Sequence, residues 1–384
     1  MRVASITDFR ELARRRLPPM FFHYLDGGSY DEITLRRNVS DLQAIALRQR
    51  VMRDVSKVSM ETTWFGQTYA IPVGLGPIGL SGMFARRGET QAARAAAKAG
   101  VPFCLSTLSI CDVREVAKAS PSPIWFQFYM TKDRGHMAAL LERAGASRCS
   151  ALVFTVDLPV TGARYRDYRS GMSGSPGLVQ DLRRAWQGIT HPAWLWDVYL
   201  NGGPHHFGNL IDVVKDAKGF GQFAAWIASN FDPSLTWKDI AWVRERWKGP
   251  IILKGVLDPE DARAAVDAGV EGIVVSNHGG RQLDGALSST AALPAVVEAV
   301  AGRATVLMDG GVRSGLDVLR ALALGAQGCL LGRAWAYALA ARGEAGVTRA
   351  LEIIRAELAT AMALTGCTDV RQASRDLLAR TELR

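Results

Sequence analysis

Eight short apolar segments, rich in Val, Ile, Leu and Phe, recur along the chain, and most are closed by a polar residue or a glycine. Segments of this length and composition are typical of buried parallel strands. They are Ile71–Leu75, Phe103–Ser106, Ile124–Tyr129, Leu152–Asp157, Ile251–Lys254, Gly272–Ser276, Thr305–Asp309 and Gly328–Gly332. Between most of them lie segments rich in alanine, leucine and charge that are typical of helices, such as Glu89–Ala99, Asp258–Ala268 and Ser314–Leu324.

This alternation of strands and helices indicates parallel βαβ units in an α/β protein. Because there are eight strands, we predict a closed eight-stranded β/α (TIM) barrel, in which the strand C-termini build the active site. A doubly wound open sheet would also alternate, but it does not require eight repeats. We expect one domain over residues 1–384, with a helical cap at 1–60, the barrel at 61–365 and a tail at 366–384.

The spacing between the fourth and fifth predicted strands is far longer than one helix. We therefore expect an insertion at about residues 165–245, and an insertion after a barrel strand lies over the active-site face. It contains the glycine-rich segment 171–177 and a basic, aromatic stretch with Arg183, Arg184, Trp186, His191, Trp194, Trp196 and Tyr199. Two interpretations stay open: a lid over the site, or a segment that docks on a membrane.

Composition narrows the classes of function. The chain has 384 residues, 48% of them hydrophobic and 22% charged, as in ordinary globular proteins. Its five cysteines are scattered without a Cys-x-x-Cys pair, which indicates neither a disulfide framework nor a metal site.

The net charge of +9 suits anionic partners. No nucleic-acid motif accompanies the basic residues, so we expect no nucleic-acid partner. We also expect no signal peptide, because the arginine-rich opening Met1–Arg16 has no apolar centre.

One glycine-rich segment imitates a dinucleotide-binding motif. Gly74-Leu75-Gly76-Pro77-Ile78-Gly79 matches Gly-x-Gly-x-x-Gly after a strand. No clean amphipathic helix follows, and no acidic residue lies about twenty residues further on, where the ribose ligand is expected. The sequence therefore disfavours a nicotinamide cofactor. A flavin is still compatible with it, because glycines let a flat ring approach the backbone closely.

The strongest candidate for chemistry follows the sixth predicted strand, where residues 276–284 are Ser-Asn-His-Gly-Gly-Arg-Gln-Leu-Asp. The neutral imidazole of His278 can accept a proton near pH 7, and the guanidinium of Arg281 can fork onto a carboxylate. Together they predict a substrate that carries both a removable proton and a carboxylate. The alternative is a tight turn whose polar residues only satisfy the backbone.

Other strand ends add polar groups at the same edge. The seventh strand is followed by Asp309-Gly310-Gly311-Val312-Arg313 and the eighth by Gly332-Arg333. Glycine turns with arginines before helices, at strands seven and eight, are where barrels of this class bind phosphate.

The segment at 276–284 matches the signature of the FMN-dependent L-2-hydroxy acid oxidising family, and the resemblance covers nearly the whole chain. It extends from Phe22–Gly28 to Leu364–Gly366. Within that family the chain most resembles the quinone-linked bacterial L-lactate dehydrogenases. The segments that support this branch are Leu35–Asn38, Gly162–Asp167, Gly171–Gly174 and Asn230–Ser234.

The resemblance implies FMN as the cofactor and assigns roles to individual residues. His278 would be the base, Asp157 the carboxylate that stabilises it, and Tyr129 a hydrogen-bond partner of the substrate oxygen. Tyr24, Arg164 and Arg281 would hold the substrate carboxylate. Residues along the flavin ring and ribityl chain would be Pro77, Ile78, Gly79, Ser106, Gln127, Thr155, Lys254 and Ser276. Residues at the ribityl hydroxyls and phosphate would be Asp309, Gly310, Gly311, Val312, Arg313, Gly332 and Arg333.

The activity that the resemblance implies is oxidation of L-lactate to pyruvate, with electrons passed to a quinone. It further implies a homotetramer, peripheral to the cytoplasmic side of the inner membrane or in the cytoplasm. Leu108 stands where glycolate oxidases usually have tryptophan, and Gly79 where several oxidases have alanine. The alternatives are a mandelate-type dehydrogenase, a soluble oxidase that uses oxygen, a barrel enzyme acting on a phosphorylated metabolite, and a flavoprotein without activity.

Overall fold

The computed structural model describes residues 2–174, 177–214, 226 and 229–379. All eight predicted strands are confirmed, each within a residue or two of its expected limits. After a short hairpin of β1 (Thr62–Trp64) and β2 (Gln67–Tyr69), the barrel strands follow. They are β3 (Val73–Leu75), β4 (Cys104–Ser106), β5 (Trp125–Phe128), β6 (Ala151–Thr155), β7 (Ile251–Val256), β8 (Gly272–Val275), β9 (Thr305–Met308) and β10 (Gly328–Leu331).

The eight barrel strands form one parallel sheet that curls into a nearly closed barrel. Their order is β3-β10-β9-β8-β7-β6-β5-β4, and a parallel bridge between Leu75 and Phe103 joins the two ends. The interior is filled by inward-facing side chains from successive strands, including Trp125 on β5, Val153 on β6 and Ile252 on β7. The β1–β2 hairpin adds Trp64 to this cluster, and its indole Nε1 donates to the carbonyl of Gln327 at 3.0 Å. The hairpin thus closes the N-terminal end, and the C-terminal strand ends remain for a site.

Helices surround the barrel, and the N-terminal segment is itself helical, as predicted. Three precede the hairpin: α1 (Ile6–Arg16), α2 (Pro19–Asp26) and α3 (Ile33–Ala44). The barrel helices begin at side-chain caps such as Asp112, Ser288 and Ser314, which accept hydrogen bonds from the first turn. They are α4 (Gly88–Ala99), α5 (Val113–Ala119), α6 (Arg134–Ala146), α10 (Lys238–Arg246), α11 (Pro259–Asp267), α12 (Ser289–Val300), α13 (Gly315–Ala323) and α14 (Arg333–Thr365).

The predicted insertion lies between β6 and β7. It contains α7 (Tyr165–Ser170), α8 (Leu178–Ile189) and α9 (Pro192–Trp194), and α9 continues into a π-helical turn, Leu195–Leu200. Residues 175–176, 215–225 and 227–228 of the predicted insertion, and residues 380–384 of the predicted tail, lie outside the described residues. The helical part packs against α2, so the insertion lies beside the N-terminal helices at the open end of the barrel.

Candidate active site

A cavity of about 670 Å³ lies at the C-terminal ends of the barrel strands, beneath the insertion. Most residues expected from the sequence line it: Tyr24, Pro77, Ile78, Gly79, Ser106, Tyr129, Thr155, Arg164, Lys254, His278, Arg281, Asp309, Gly310, Gly311, Val312, Arg313, Gly332 and Arg333. Asp157, Gln127 and Ser276 are not on its surface. Each of the three instead contacts a lining side chain from behind, and together they support the cavity wall.

His278 and Asp157 form a hydrogen-bonded pair at the ends of β8 and β6. The imidazole Nδ1 lies 2.9 Å from Asp157 Oδ1, and Nε2 lies 3.4 Å from the hydroxyl of Tyr129. His278 has a φ of +59°, in the left-handed region that a residue other than glycine adopts at a cost, so the surrounding contacts must hold the turn. The Ser276 hydroxyl holds this turn, because it accepts a hydrogen bond from the His278 backbone N–H at 3.0 Å.

The room for Asp157 comes from a bulge in β7. The register between β7 and β8 shifts between Lys254 and Val256, at Gly255, whose φ is +109°. A Cβ at Gly255 would lie 2.5 Å from the Cβ of Asp157. Because a side chain does not fit there, the bulge and its glycine set where the carboxylate meets the imidazole.

The protonation states of the pair suit a base. Burial lowers the pKa of His278 below its ordinary value of 6.5; Lys254 acts in the same direction, and Asp157 opposes both without reversing the shift. Burial raises the pKa of Asp157, but His278 and Lys254 outweigh it and leave that pKa below 3.8. Near pH 7 the imidazole is therefore neutral beside an ionised carboxylate, which is the state that can accept a proton.

Two guanidinium groups lie on the same side of the cavity. Arg281 packs over the ring of Tyr24 at 4.7 Å, and its Nη1 donates to the carbonyls of Tyr24 and Gly27. Arg164 is half-buried, and its Nε is buried without a hydrogen-bond partner among the described residues. Burial, together with the charge of Arg281, lowers the pKa of Arg164 to about 10. Two neighbouring cations facing an enclosed space provide a site for a carboxylate.

A buried cation, Lys254, and three buried polar atoms without hydrogen-bond partners lie at the bottom of the cavity, which we call its floor. Lys254 Nζ donates to Ser276 Oγ at 2.9 Å and lies 3.1 Å from Asp309 Oδ2. Burial lowers the pKa of Lys254, but Asp309 and Asp157 outweigh it, so that pKa stays above 10.5. Thr155 Oγ1, Gln127 Nε2 and Asp309 Oδ1 are buried without a hydrogen-bond partner in the described part of the chain. Such groups are costly unless a bound molecule satisfies them.

The turn after β9 is built for close approach of the backbone. Gly310 and Gly311 have φ values of +94° and +89°, and a Cβ at Gly311 would lie 1.9 Å from the carbonyl oxygen of Asn38. Most N–H groups of Arg333, which follows β10, already have backbone partners. Its Nε, Nη1 and Nη2 donate to the carbonyls of Leu25, Gly279 and Gly27. Arg333 thus ties α2 to the turn that carries His278, a role that sequence reasoning missed.

Sequence reasoning also missed much of the apolar wall. Leu158, Met172 and Phe207 line the cavity, and Phe231 packs against Tyr129 with ring centroids 5.1 Å apart. Three of these residues, Met172, Phe207 and Phe231, come from the insertion, where no regular hydrophobic period identifies inward-facing positions.

The chain is similar to known proteins over nearly its whole length. The model of the FMN-dependent dehydrogenase family matches residues 13–380. The chain belongs to this family. It is 60% identical over 382 residues to the L-lactate dehydrogenase of Caulobacter sp. (strain K31), covering 100% of both chains. It is 57% identical over 380 residues to that of Pseudomonas aeruginosa (strain LESB58), covering 99% of each.

Solved structures of related dehydrogenases and oxidases share the architecture. Monotopic membrane protein (S)-mandelate dehydrogenase is 34% identical with a TM-score of 0.91, and the match covers 99% of this chain and 100% of that one. Mandelate oxidase is 39% identical with a TM-score of 0.82, and the match covers 97% of each. In this FMN-dependent dehydrogenase, the donors, acceptors and buried cation on the cavity floor fit a flavin. The alternative of a flavin-free barrel acting on a phosphorylated metabolite is therefore wrong.

Proposed function

We propose that this FMN-dependent dehydrogenase oxidises L-lactate to pyruvate and passes the electrons to a quinone. The observation that carries the proposal is that His278, which Asp157 holds from behind, lines the same cavity as the guanidinium groups of Arg164 and Arg281. The full-length similarity to proteins named L-lactate dehydrogenases supports the choice of substrate.

The proposed mechanism assigns each step to a side chain. Arg281, Arg164 and Tyr24 bind the carboxylate of the 2-hydroxy acid and orient its second carbon. His278 Nε2 removes a proton, and ionised Asp157 stabilises the resulting imidazolium through Nδ1. Tyr129 donates a hydrogen bond to the substrate oxygen; burial, and then Asp157, raise its pKa well above 10, so it stays protonated. FMN, once bound, supplies the two-electron acceptor.

We further propose how the chain holds the cofactor. Lys254 would hold a fixed positive charge beside the bound flavin, and a cation that is already in place costs no reorganisation during the reaction. Thr155 and Ser106, which line the cavity, would bind the ring and ribityl chain. Gln127 and Ser276 would act from behind the wall, where they position Ser106 and Lys254 for the cofactor. Backbone and side chains at the remaining positions would contact the flavin, the ribityl hydroxyls and the phosphate: Pro77, Ile78, Gly79, Asp309, Gly310, Gly311, Val312, Arg313, Gly332 and Arg333.

A second candidate function is oxidation of an aromatic 2-hydroxy acid, which the apolar wall of Leu108, Leu158, Met172 and Phe207 favours. Anaerobic stopped-flow reduction of the bound flavin with L-lactate, glycolate and (S)-mandelate distinguishes the two. We expect the ratio of reduction rate constant to dissociation constant to be highest for L-lactate. A higher ratio for (S)-mandelate would replace the proposed substrate.

Replacing Asp157 with asparagine is expected to move the acid limb of the pH profile to lower pH and to lower its plateau. The carboxylate raises the pKa of His278, so its loss lets that pKa fall further below 6.5. The plateau falls because the imidazolium loses its counter-charge. The measurement is the flavin reduction rate at sub-saturating L-lactate against pH. In the parent protein it should rise through a pKa below 6.5 and then level off. A limb that stays in place, or moves to higher pH, contradicts the proposed role of Asp157.

We propose that the insertion contacts the cytoplasmic face of the inner membrane, where the quinone resides. Leu178, Leu182, Trp186 and Ile189 form an exposed apolar stripe along α8. The similarity to a monotopic membrane protein supports this proposal. In the described part of the chain no helix is both long and apolar enough to cross a bilayer. The homotetramer remains a proposal.

Trp194, one of the tryptophans of the basic, aromatic stretch, lies in the protein core and not on the surface. Trp194 is 3% exposed; it packs against Phe21, and its Nε1 donates to the carbonyl of Met83 at 2.7 Å. In the membrane-docking interpretation of this stretch, Trp194 would face lipid together with Trp186 and Trp196. For Trp194 that interpretation is wrong, because α9 turns its indole into the core.

Replacing Leu182 and Trp186 together with serine is expected to weaken vesicle binding at least tenfold. Burying one large apolar side chain is worth about 1.5–3 kcal/mol, and both side chains are exposed, so the fold should persist. Quinone reduction should slow, while flavin reduction by L-lactate stays unchanged. In the matched control, serine replaces Val51 and Met52, an exposed apolar pair outside the insertion. Equal vesicle binding by the two double variants would remove α8 from the docking surface.

A further inference from the structure

Beside the insertion lies a depression of about 520 Å³ with an unusual concentration of arginines. We propose that it binds the phosphate headgroup of an anionic phospholipid; the proposal rests on the membrane contact proposed above. We call these residues the arginine cluster: Arg16, Arg86, Arg87, Arg94 and Arg342.

Three separate parts of the fold bring the cluster together. Arg16 ends α1, and Arg86 and Arg87 lie just before α4. Arg94 lies about two turns further along α4. Arg342 lies at the kink inside α14. The close packing of α14 against both α1 and α4 fixes these positions. The arginines are therefore held on a rigid framework around one depression, unlike basic side chains scattered along a solvated face.

Four cations of the cluster, Arg16, Arg86, Arg87 and Arg94, share three carboxylates. Asp197 serves two cations, since its Oδ2 lies 2.5 Å from Arg16 Nη2 and its Oδ1 3.9 Å from Arg86 Nε. Arg87 pairs with Glu115, and Arg94 pairs with Glu344 at 2.7 Å. Arg16 Nε is buried without a hydrogen-bond partner among the described residues. Guanidinium groups with unused donors bind phosphate oxygens in a forked geometry.

The surroundings of Asp197 identify the source of the phosphate. Asp197 belongs to the π-helical turn Leu195–Leu200, in which Trp196, Tyr199 and Leu200 are exposed. Tryptophan and tyrosine favour the headgroup region of a bilayer, and arginines beside them reach the phosphate layer. The ion pair of Arg16 with Asp197 ties this aromatic turn to the cluster. A site for a free anion would need no such neighbour, so the adjacency favours a lipid.

The test is sedimentation of the holoprotein with vesicles of phosphatidylcholine alone and with vesicles that also contain phosphatidylglycerol. The variants are Arg86→Gln and Arg94→Gln, and the control is Arg263→Gln, an exposed arginine on α11. Each cluster variant should bind the anionic vesicles about fivefold more weakly, the equivalent of about 1 kcal/mol per cation. Binding to neutral vesicles should not change. The control should match the parent, because charges beyond a Debye length of about 10 Å are screened.

The other outcomes are distinguishable. If both cluster variants behave like Arg263→Gln, the cluster proposal is wrong, while the α8 contact stands or falls with the Leu182 and Trp186 substitutions. If inorganic phosphate raises the melting temperature of the parent but not of Arg86→Gln, and vesicle binding is insensitive to both variants, the site binds a free anion. Arg86 carries the test even if Arg94→Gln unfolds, because its side chain is 56% exposed and its contact with Asp197 is long.

Discussion

Replacing His278 with glutamine is expected to slow reduction of the bound flavin by L-lactate about a hundred- to ten-thousand-fold, the usual contribution of a positioned base. Glutamine can keep a hydrogen bond to Asp157 but cannot accept and hold the proton. The protein should retain its flavin, because His278 lies at the substrate end of the cavity in the proposed arrangement. Anaerobic stopped-flow spectroscopy of the purified variant measures the effect.

The control addresses the strained backbone at this position. His278 has a φ of +59°, and asparagine tolerates that conformation better than glutamine. His278→Asn should therefore preserve stability and lose as much activity. If either variant retained flavin reduction within about tenfold of the parent, His278 would not be the base.

Replacing Arg281 with lysine should lower the ratio of reduction rate constant to dissociation constant for L-lactate about tenfold to a hundredfold. That is the value of one charge-assisted hydrogen bond. Arg281 uses Nη1 to hold the carbonyls of Tyr24 and Gly27, which leaves its other N–H groups for the substrate. Lysine carries one point charge and cannot bind both the backbone and a carboxylate.

Oxalate, which binds without being oxidised, isolates the carboxylate contact from the chemistry. Its affinity should fall in Arg281→Lys and remain at the parent value in Arg313→Lys, where the arginine lies at the turn after β9. The second variant should instead lose flavin more readily. Unchanged oxalate affinity in Arg281→Lys would place the carboxylate elsewhere.

Much of this fold could be predicted from the sequence because the barrel repeats a strong local pattern. Short β-branched segments such as Gly272–Val275 are buried on both faces, so their limits are clear without any tertiary information. The strand-end rule then placed His278, Asp157 and Lys254 at one edge. The position of the strand ends could not predict that Asp157 contacts His278, because the two residues are 121 positions apart in the sequence. Their contact depends on the bulge at Gly255.

The parts that could not be predicted depend on long-range packing. Trp194 and Trp196 are two residues apart and chemically identical, yet one is buried against Phe21 and the other is exposed. The carbonyl partners of Arg333 lie more than fifty residues away, or more than three hundred, so no local pattern shows that it joins α2 to the turn after β8. The contacts that determine the roles of Trp194 and Arg333 are made with residues that are distant in the sequence.

The central claim is that this cavity oxidises L-lactate with its bound flavin, and the visible spectrum of the purified protein under anaerobic conditions tests it most directly. We predict flavin absorption bands that bleach on addition of L-lactate and persist on addition of D-lactate. Flavin bands that L-lactate leaves unchanged would contradict the account.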